Sequence, residues 1–351
     1  MAIELIVDPT AEVWDAFVAA HPQGHPLQTS AWAALKATVG WRARRLLLRD
    51  GGRPLAGGQL LLRHRYGVAA AYAPRGPLFS GDAGTDGALL AALERAARRA
   101  RAVFLRVEPN LLDSQPELNI VRRLELEHGY AETAGVQPST SVHLSLLPEP
   151  ETLLAGMSKG HRADIRRAQR DGVAVRAGDG AADMASFQRI METTAARAGF
   201  GIHSGGYYAA ARRLFGERAL LLLAEIDGAA VGGCLVVASC GVCLYLYGGS
   251  DERGLRSGAN HLLQWQAIRW ARERGCHTYD FWGVPDAFGA LATATDEDER
   301  ARLEERAKAD PLYGVFRFKK GFGGAVVRYA PACDRVLIRP LYAIWRRTQP
   351  D

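Results

Sequence analysis

Two stretches of the chain carry the same order of apolar and polar positions. The first runs "RRLLLRDGGRPLAGGQLLLRHRYGVAAAYAPRGPLF" and then "GALLAALERAARRARAVFLRVEP". The second runs "ALLLLAEIDGAAVGGCLVVASCGVCLYLYGGSDERG" and then "GANHLLQWQAIRWARERGCHTYDFWGVP". Each pattern predicts an apolar strand, a DG turn, a second strand entered through GG, and a third strand ending in tyrosine. A long amphipathic helix and a final strand closed by proline follow. Four landmarks stay in step: Asp50 to Asp227 is 177 residues, Gly57 to Gly232 is 175, Tyr72 to Tyr247 is 175 and Pro109 to Pro285 is 176.

This spacing predicts a tandem duplication of one antiparallel-meander-plus-helix unit, hence two similar domains of α/β (α+β) class. Residues 1–145 are expected to form the first domain, completed by 318–351, and 146–317 the second, with substrates bound in a cleft between them. In the second unit Leu262, Leu263, Ala267, Trp270 and Ala271 share one helical stripe, the spacing of a face packed on a sheet. "MSKGHRADIRRAQRDGV" predicts a further helix with Lys159, Arg162, Arg166 and Arg170 in one sector and Ile165 and Ala168 opposite. Such a stripe suits a nucleic-acid backbone, or it is a solvated face that Asp164 and Asp171 partly neutralise. "ATDEDERARLEERAKADP" reads as a short solvated helix.

Composition adds class. The 351 residues are 48% hydrophobic and 23% charged, with no apolar run of membrane-spanning length, as expected of a soluble globular protein. The start, "MAIELIVDPTAEVWDAF", has acids where a secretory leader is basic, so the cytoplasm is the expected compartment. Five cysteines form no disulfide framework, and the Cys240–Cys243 pair reads as a turn entering a strand rather than a redox or zinc motif. The formal charge is +6, and from Val315 onward eight Lys or Arg face two Asp. A basic end of this kind fits phosphate-bearing partners or an anionic membrane surface.

Candidate chemistry is narrowed by what is missing. The sequence has no GxSxG elbow, HExxH, Walker loop or dinucleotide fingerprint. "GGSDERGLRSGA", between a strand and a helix, is where an acetyl-CoA acyltransferase would hold a pyrophosphate, but its glycines are sparse and an ordinary helix entry explains it. A reaction that needs little covalent help remains: aminolysis of an activated ester, with the protein supplying orientation and a cation for the developing oxyanion. "FRFKKGFGG" offers that cation, because Lys319 and Lys320 lie between aromatic residues and glycines. Burying an amine beside Phe318 and Phe322 is costly unless it meets a partner, and a functional anion is the expected one.

"QTSAWAALKATVGW", "YAPRGP", "FLRVEP", "MSKGHRADIRRAQRDGV", "YLYGGS", "LLQWQAIRWARERG", "YDFWGV" and "FRFKKGFGG", in this order, closely resemble the FemABX family of tRNA-dependent peptidoglycan aminoacyltransferases. The resemblance runs from about residue 28 to 335 and is of the compact, FemX-like kind without a coiled-coil insert. It implies two GNAT-like domains, an aminoacyl-tRNA donor, and a UDP-linked or lipid-linked peptidoglycan precursor as acceptor. The side-chain amine of the third stem-peptide residue would receive glycine, alanine or serine. It implies no metal and no organic cofactor, and a monomer, cytoplasmic or peripheral at the inner membrane leaflet.

Carried over by position, the resemblance gives Lys319, with Phe318 before it, the place beside the reacting carbonyl. Lys36 would contact the precursor diphosphate, and Tyr207 and Tyr247 would line the acceptor site. Glu108 would stand near the stem-peptide end, and Arg75 lies in the "PRGP" turn. Lys159, Arg162, Arg166, Arg170 and Lys320 would face tRNA. The chain departs from the family pattern at His203, where a compact relative has a phosphate-binding arginine, and at Asp164, where asparagine is common. Two other readings stay open: an acyl-CoA-dependent N-acyltransferase on the same fold, and a non-catalytic RNA-binding protein.

Overall fold

A computed structural model of the chain describes residues 3–113, 119–199 and 201–347; Asp351, counted above with the basic end, lies outside them. The chain divides into two compact units, Met1–Ser139 with Arg328–Asp351, and Thr140–Val327.

In chain order the first unit opens with β1 (Glu4–Val7), α1 (Ala11–Ala20), α2 (Ser30–Ala37), β2 (Arg42–Asp50), β3 (Arg53–Arg65) and β4 (Val68–Ala73). Next come α3 (Ala83–Arg99), β5 (Ala102–Val107), α4 (Asn119–His128) and β6 (Ala131–Thr133). The second unit runs β7 (Thr140–Ser145), α5 (Pro150–Gly156), α6 (Lys159–Arg170), β8 (Ala174–Gly178), α7 (Ala181–Ala198), α8 (Gly205–Phe215), β9 (Ala219–Ile226), β10 (Ala229–Ser239) and β11 (Val242–Ser250). It continues with α9 (Glu252–Ser257), α10 (Ala259–Glu273), β12 (Thr278–Gly283), α11 (Asp286–Thr293), α12 (Glu297–Ala309), α13 (Tyr313–Lys320) and β13 (Ala325–Arg328). β14 (Ala332–Val336) and α14 (Arg339–Arg347) close the chain.

Each unit holds one seven-stranded sheet, in the order β1-β2-β3-β4-β5-β14-β6 and β13-β7-β12-β11-β10-β9-β8. The expected divisions at 145/146 and 317/318 differ from this. Thr140–Ser145 joins the second sheet by pairing with β12, and α13 and β13 stay in the second unit, so the return to the first sheet begins at Arg328.

The duplicated GG has a packing cause. A Cβ on Gly57 would come within 2.8 Å of Phe17 on α1, and one on Gly233 within 2.9 Å of Phe187 on α7. On the other sheet face, Gly58 lies under Leu93 of α3 and Gly232 under Leu263 of α10. In both units a helix therefore rests on bare backbone from each side. Leu89, Leu93 and Ala97 of α3, and Leu263, Ala267 and Ala271 of α10, are fully buried at that helical spacing. Trp265 is more completely buried than the expected Trp270, which is only partly covered.

One difference between the two copies bears on the site. β4 and β5 run parallel and stay paired to their ends, Ala73 with Val107. The equivalent β11 and β12 pair only from Val242–Thr278 to Leu244–Asp280, then part. A bulge at Leu246, between Tyr245 and Tyr247, bends β11 away. Among the described residues no helix is long and apolar enough to cross a membrane.

Candidate functional site

The gap between the parted strands holds Lys319. Its Nζ donates to the carbonyl oxygens of Trp282 at 3.1 Å and Gly283 at 2.7 Å, on the end of β12 that no longer pairs with β11. The Tyr245 ring on β11 faces it, 6.0 Å from the ammonium to the ring centre. The side chain is buried, and burial pushes its pKa down to about 8 against the pull of Asp280. An ammonium has three donors. Two are engaged, and among the described residues the third has no acceptor. Backbone carbonyls are thus partners that the sequence reading did not foresee.

Those carbonyls are aimed by Asp280. Trp282 has φ +62°, a left-handed conformation that a bulky side chain disfavours. Its N–H donates to Asp280 at 2.7 Å. The same carboxylate, fully buried, accepts from Ser141 Oγ and lies 3.3 Å from Nε2 of His143. Burial alone would raise its pKa, but His143, Ser141 and the Trp282 N–H outweigh it and keep the carboxylate well below its usual range.

The glycines around the lysines seat α13. A Cβ on Gly321 would fall 1.9 Å from the His161 ring, and one on Gly324 2.8 Å from the His143 carbonyl oxygen. Gly323, at φ +92°, passes over the end of α5. His161 Nε2 donates to the Phe318 carbonyl at 2.8 Å while its Nδ1 accepts from Ser158 Oγ at 2.8 Å; the Ser158 N–H reaches the Gly321 carbonyl at 2.8 Å. Phe318 is half-buried against His261 and Phe322. Lys320 is exposed and donates to Gly324 O at 2.6 Å, tying its own loop.

A second cluster in this unit gathers His203, Tyr207, Tyr208 and Tyr247. His203 stacks on Tyr207 with ring centres 4.0 Å apart, and Tyr208 lies 4.9 Å from Tyr247. Burial raises the Tyr207 phenol to about 12 and Tyr247 well above its usual value, so both are neutral donors at ordinary pH.

In the first unit Arg75 and Glu108 belong to one knot. Arg75, at φ +49°, donates to Pro138 O at 2.8 Å and stacks 3.4 Å from the Tyr329 ring centre. Glu108 accepts from Tyr72 OH, from Val136 N and from Gln137 N at 3.2 Å, and its own N–H meets Gly76 O at 3.0 Å. Burial raises its pKa in spite of those donors. Lys36 stands elsewhere, on α2, with Nζ 4.6 Å from the centre of the Trp32 ring and a pKa lowered by burial to about 8.

The FemAB family model matches residues 10–231 and 228–345. The chain belongs to the FemAB family. The lipid II:glycine glycyltransferases of Staphylococcus epidermidis and Staphylococcus aureus are 23% and 24% identical to it, over 97% of this chain and 95% of their own length. Their alignments, 415 and 420 residues long, exceed the chain, so those relatives carry segments absent here. A crystal structure of FemX superposes with a TM-score of 0.83 at 21% identity, covering 98% of this chain and 99% of its own. A tandem GNAT protein of the clavulanic acid biosynthesis pathway gives 0.53 at 15% identity, covering 95% and 98%. The two sheets are thus tandem GNAT-like units.

In this FemAB protein the α6 stripe is less open than its spacing implies. Lys159, Arg166 and Arg170 are exposed, but Arg162 donates to Ala155 O at 2.8 Å and to Met157 O, binding α6 to the end of α5. Asp164 pairs with Arg167 at 2.8 Å and lies 3.6 Å from His261. The 248–259 loop is also engaged: the Asp251 carboxylate accepts from Gly254 N at 2.8 Å, at the start of α9 where a pyrophosphate would lie. Sequence reasoning missed Tyr245, Asp280, Ser141, His143 and His161. Asp280 alone had a trace, a charge between aromatics in "YDFWGV".

Proposed function

We propose that this aminoacyltransferase moves an amino acid, glycine first, from aminoacyl-tRNA to the side-chain amine of the third stem residue of a lipid-linked peptidoglycan precursor. The glycyltransferase names of the relatives support glycine and a lipid-linked acceptor. The observation that carries the chemistry is the Lys319 ammonium in the gap between β11 and β12, with one donor unengaged among the described residues.

The acceptor amine attacks the ester carbonyl carbon, the C–N bond forms, and the carbonyl oxygen becomes an oxyanion. That charge would be met by the Lys319 N–H that no described residue engages, on a buried amine where a fixed cation counts most. The C–O bond then breaks, and the proton given up by the amine nitrogen is passed through solvent to the departing ribose oxygen, which leaves as the hydroxyl. Held as a cation below about pH 8, Lys319 stabilises charge rather than abstracting a proton. Phe318, on the same turn, is assigned to the donor end with it; Tyr207, Tyr247 and His203 are assigned to the acceptor, and Lys36 to its diphosphate. Lys159, Arg166 and Arg170 supply an exposed cationic face for the tRNA backbone. The carboxylate of Asp251 already occupies the start of α9, which counts against a coenzyme A donor.

The test offers purified protein glycyl-, alanyl- and seryl-tRNA with UDP-linked and lipid-linked precursors, and reads product masses. Addition of one glycine to the lipid-linked precursor, abolished by RNase, is expected. Transfer from an acyl-CoA, or release of no amino acid from any charged tRNA, overturns the reading.

A further inference from the structure

α3 packs over β2, β3 and β5, and among the described residues no helix packs closely on the sheet face beside it at β1. Leu5 and Val7 pair with Leu48 and Leu46, which are core residues under α3; they therefore point to the same face yet stay 37% and 48% exposed. The result is a groove of about 400 Å³ between β1, β2 and α3. Its floor is apolar and its rim is cationic: Arg42 and Arg44 extend the strand face, Arg95 and Arg99 stand on the facing side of α3, and among the described residues no acid lines it. Arg44 pairs with Asp8. Among the described residues the side chains of Arg42, Arg95 and Arg99 make no hydrogen bond or ion pair.

The geometry points to an anionic-phospholipid docking surface here: headgroup phosphates on Arg42, Arg95 and Arg99, and the adjoining acyl carbons on Leu5 and Val7. Charge complementarity selects the occupant. A second copy would bring the same arginines against themselves. An RNA strand would use the cations but not an aliphatic floor, which gives bases nothing to stack on. A bilayer surface uses both halves, because basic side chains are drawn to anionic headgroups while exposed apolar ones enter the interface. The inference adds a surface to the lipid-linked reading of the acceptor, and it is measured without any transfer reaction.

The test is co-sedimentation of the full chain with vesicles of phosphatidylcholine alone, or of equimolar phosphatidylcholine and phosphatidylglycerol. The parent is expected to bind the anionic vesicles and not the neutral ones, less so as salt rises. Arg42→Gln/Arg95→Gln/Arg99→Gln should weaken that binding by roughly 100-fold, since each basic residue near such a surface is worth about fivefold. Val7→Ser should weaken it about threefold, with the arginines intact. Arg213→Gln/Arg269→Gln/Arg306→Gln, which removes equal charge from the second unit, should bind like the parent. The inference is overturned if the groove variants bind as the parent does, if the second-unit variant loses as much, or if the groove arginines instead control tRNA retention on filters or a concentration-dependent dimer.

Discussion

Trp282 turns its carbonyl onto the Nζ of Lys319 at 3.1 Å, and it does so from a left-handed backbone conformation at φ +62°. The lysine is therefore held by a strained turn rather than by a counter-ion, which leaves its charge available. If that charge serves an oxyanion, Lys319→Met should lower the transfer rate by roughly 100-fold or more, the scale seen when one oxyanion donor is removed. Two buried carbonyls would lose their donor, at a cost of about 1–3 kcal/mol each at most. Circular dichroism should then show a lowered melting temperature with the fold retained. A rate within a few-fold of the parent would reduce Lys319 to a strut.

Asp280 opposes the burial that depresses Lys319, so removing its charge should depress Lys319 further. Transfer needs the ammonium, which is present below the Lys319 pKa and lost as pH rises through about 8. In Asp280→Asn the alkaline limb of the kcat–pH profile should move to lower pH, while asparagine can still accept from Trp282 N–H. A packing defect alone would lower kcat at every pH and leave the limb in place.

The same carboxylate has a stability signature. Its folded pKa lies well below its unfolded value of about 3.9, so the stabilisation is complete above pH ~4 and is lost as pH falls toward the folded value. Urea midpoints of the parent should decline below pH ~4 more steeply than those of Asp280→Asn. Parallel acid limbs would show that the carboxylate is not preferentially charged in the folded state.

What the sequence made legible was whatever packing writes into residue type. The repeated GG marks two helices resting on bare backbone, under Phe17 and Phe187, and so the duplication could be read before any coordinate. Lys319 stood out for a similar reason, since Gly321 and Gly324 record close contacts with His161 and β7. The partners of that lysine left no trace. They are main-chain carbonyls, aimed by a backbone angle at Trp282 that no alternation encodes. Thr140–Ser145 went to the other sheet because a strand's pattern states which face is buried and not which neighbour it pairs with. Arg162 fell in the right helical sector, but its reach back to α5 depends on where the preceding helix ends.

Lys36 lies over the Trp32 ring with its pKa lowered to about 8, a cation held close to its neutral form. A diphosphate beside it would restore the charge, and binding would then carry a proton uptake above pH ~8. Lys36→Ala should raise KM for the precursor several-fold with kcat nearly unchanged, the pattern of a contact made equally in ground and transition states. An unchanged KM would exclude this contact.

Gly321 has right-handed helical backbone angles, so alanine suits its main chain and only the space is lacking. The added Cβ would meet the His161 ring at 1.9 Å, and that ring is pinned by Ser158 on one side and by the Phe318 carbonyl on the other. Gly321→Ala must therefore break both hydrogen bonds or lift the end of α13, with Lys319 upon it. Stability should fall by about 2–3 kcal/mol and kcat should fall with it. His161→Ala in the same chain removes the obstacle, so the double variant should be more stable and more active than Gly321→Ala alone, a coupling that thermal melts and initial rates both measure. Strictly additive losses would mean that α13 is not seated through this contact.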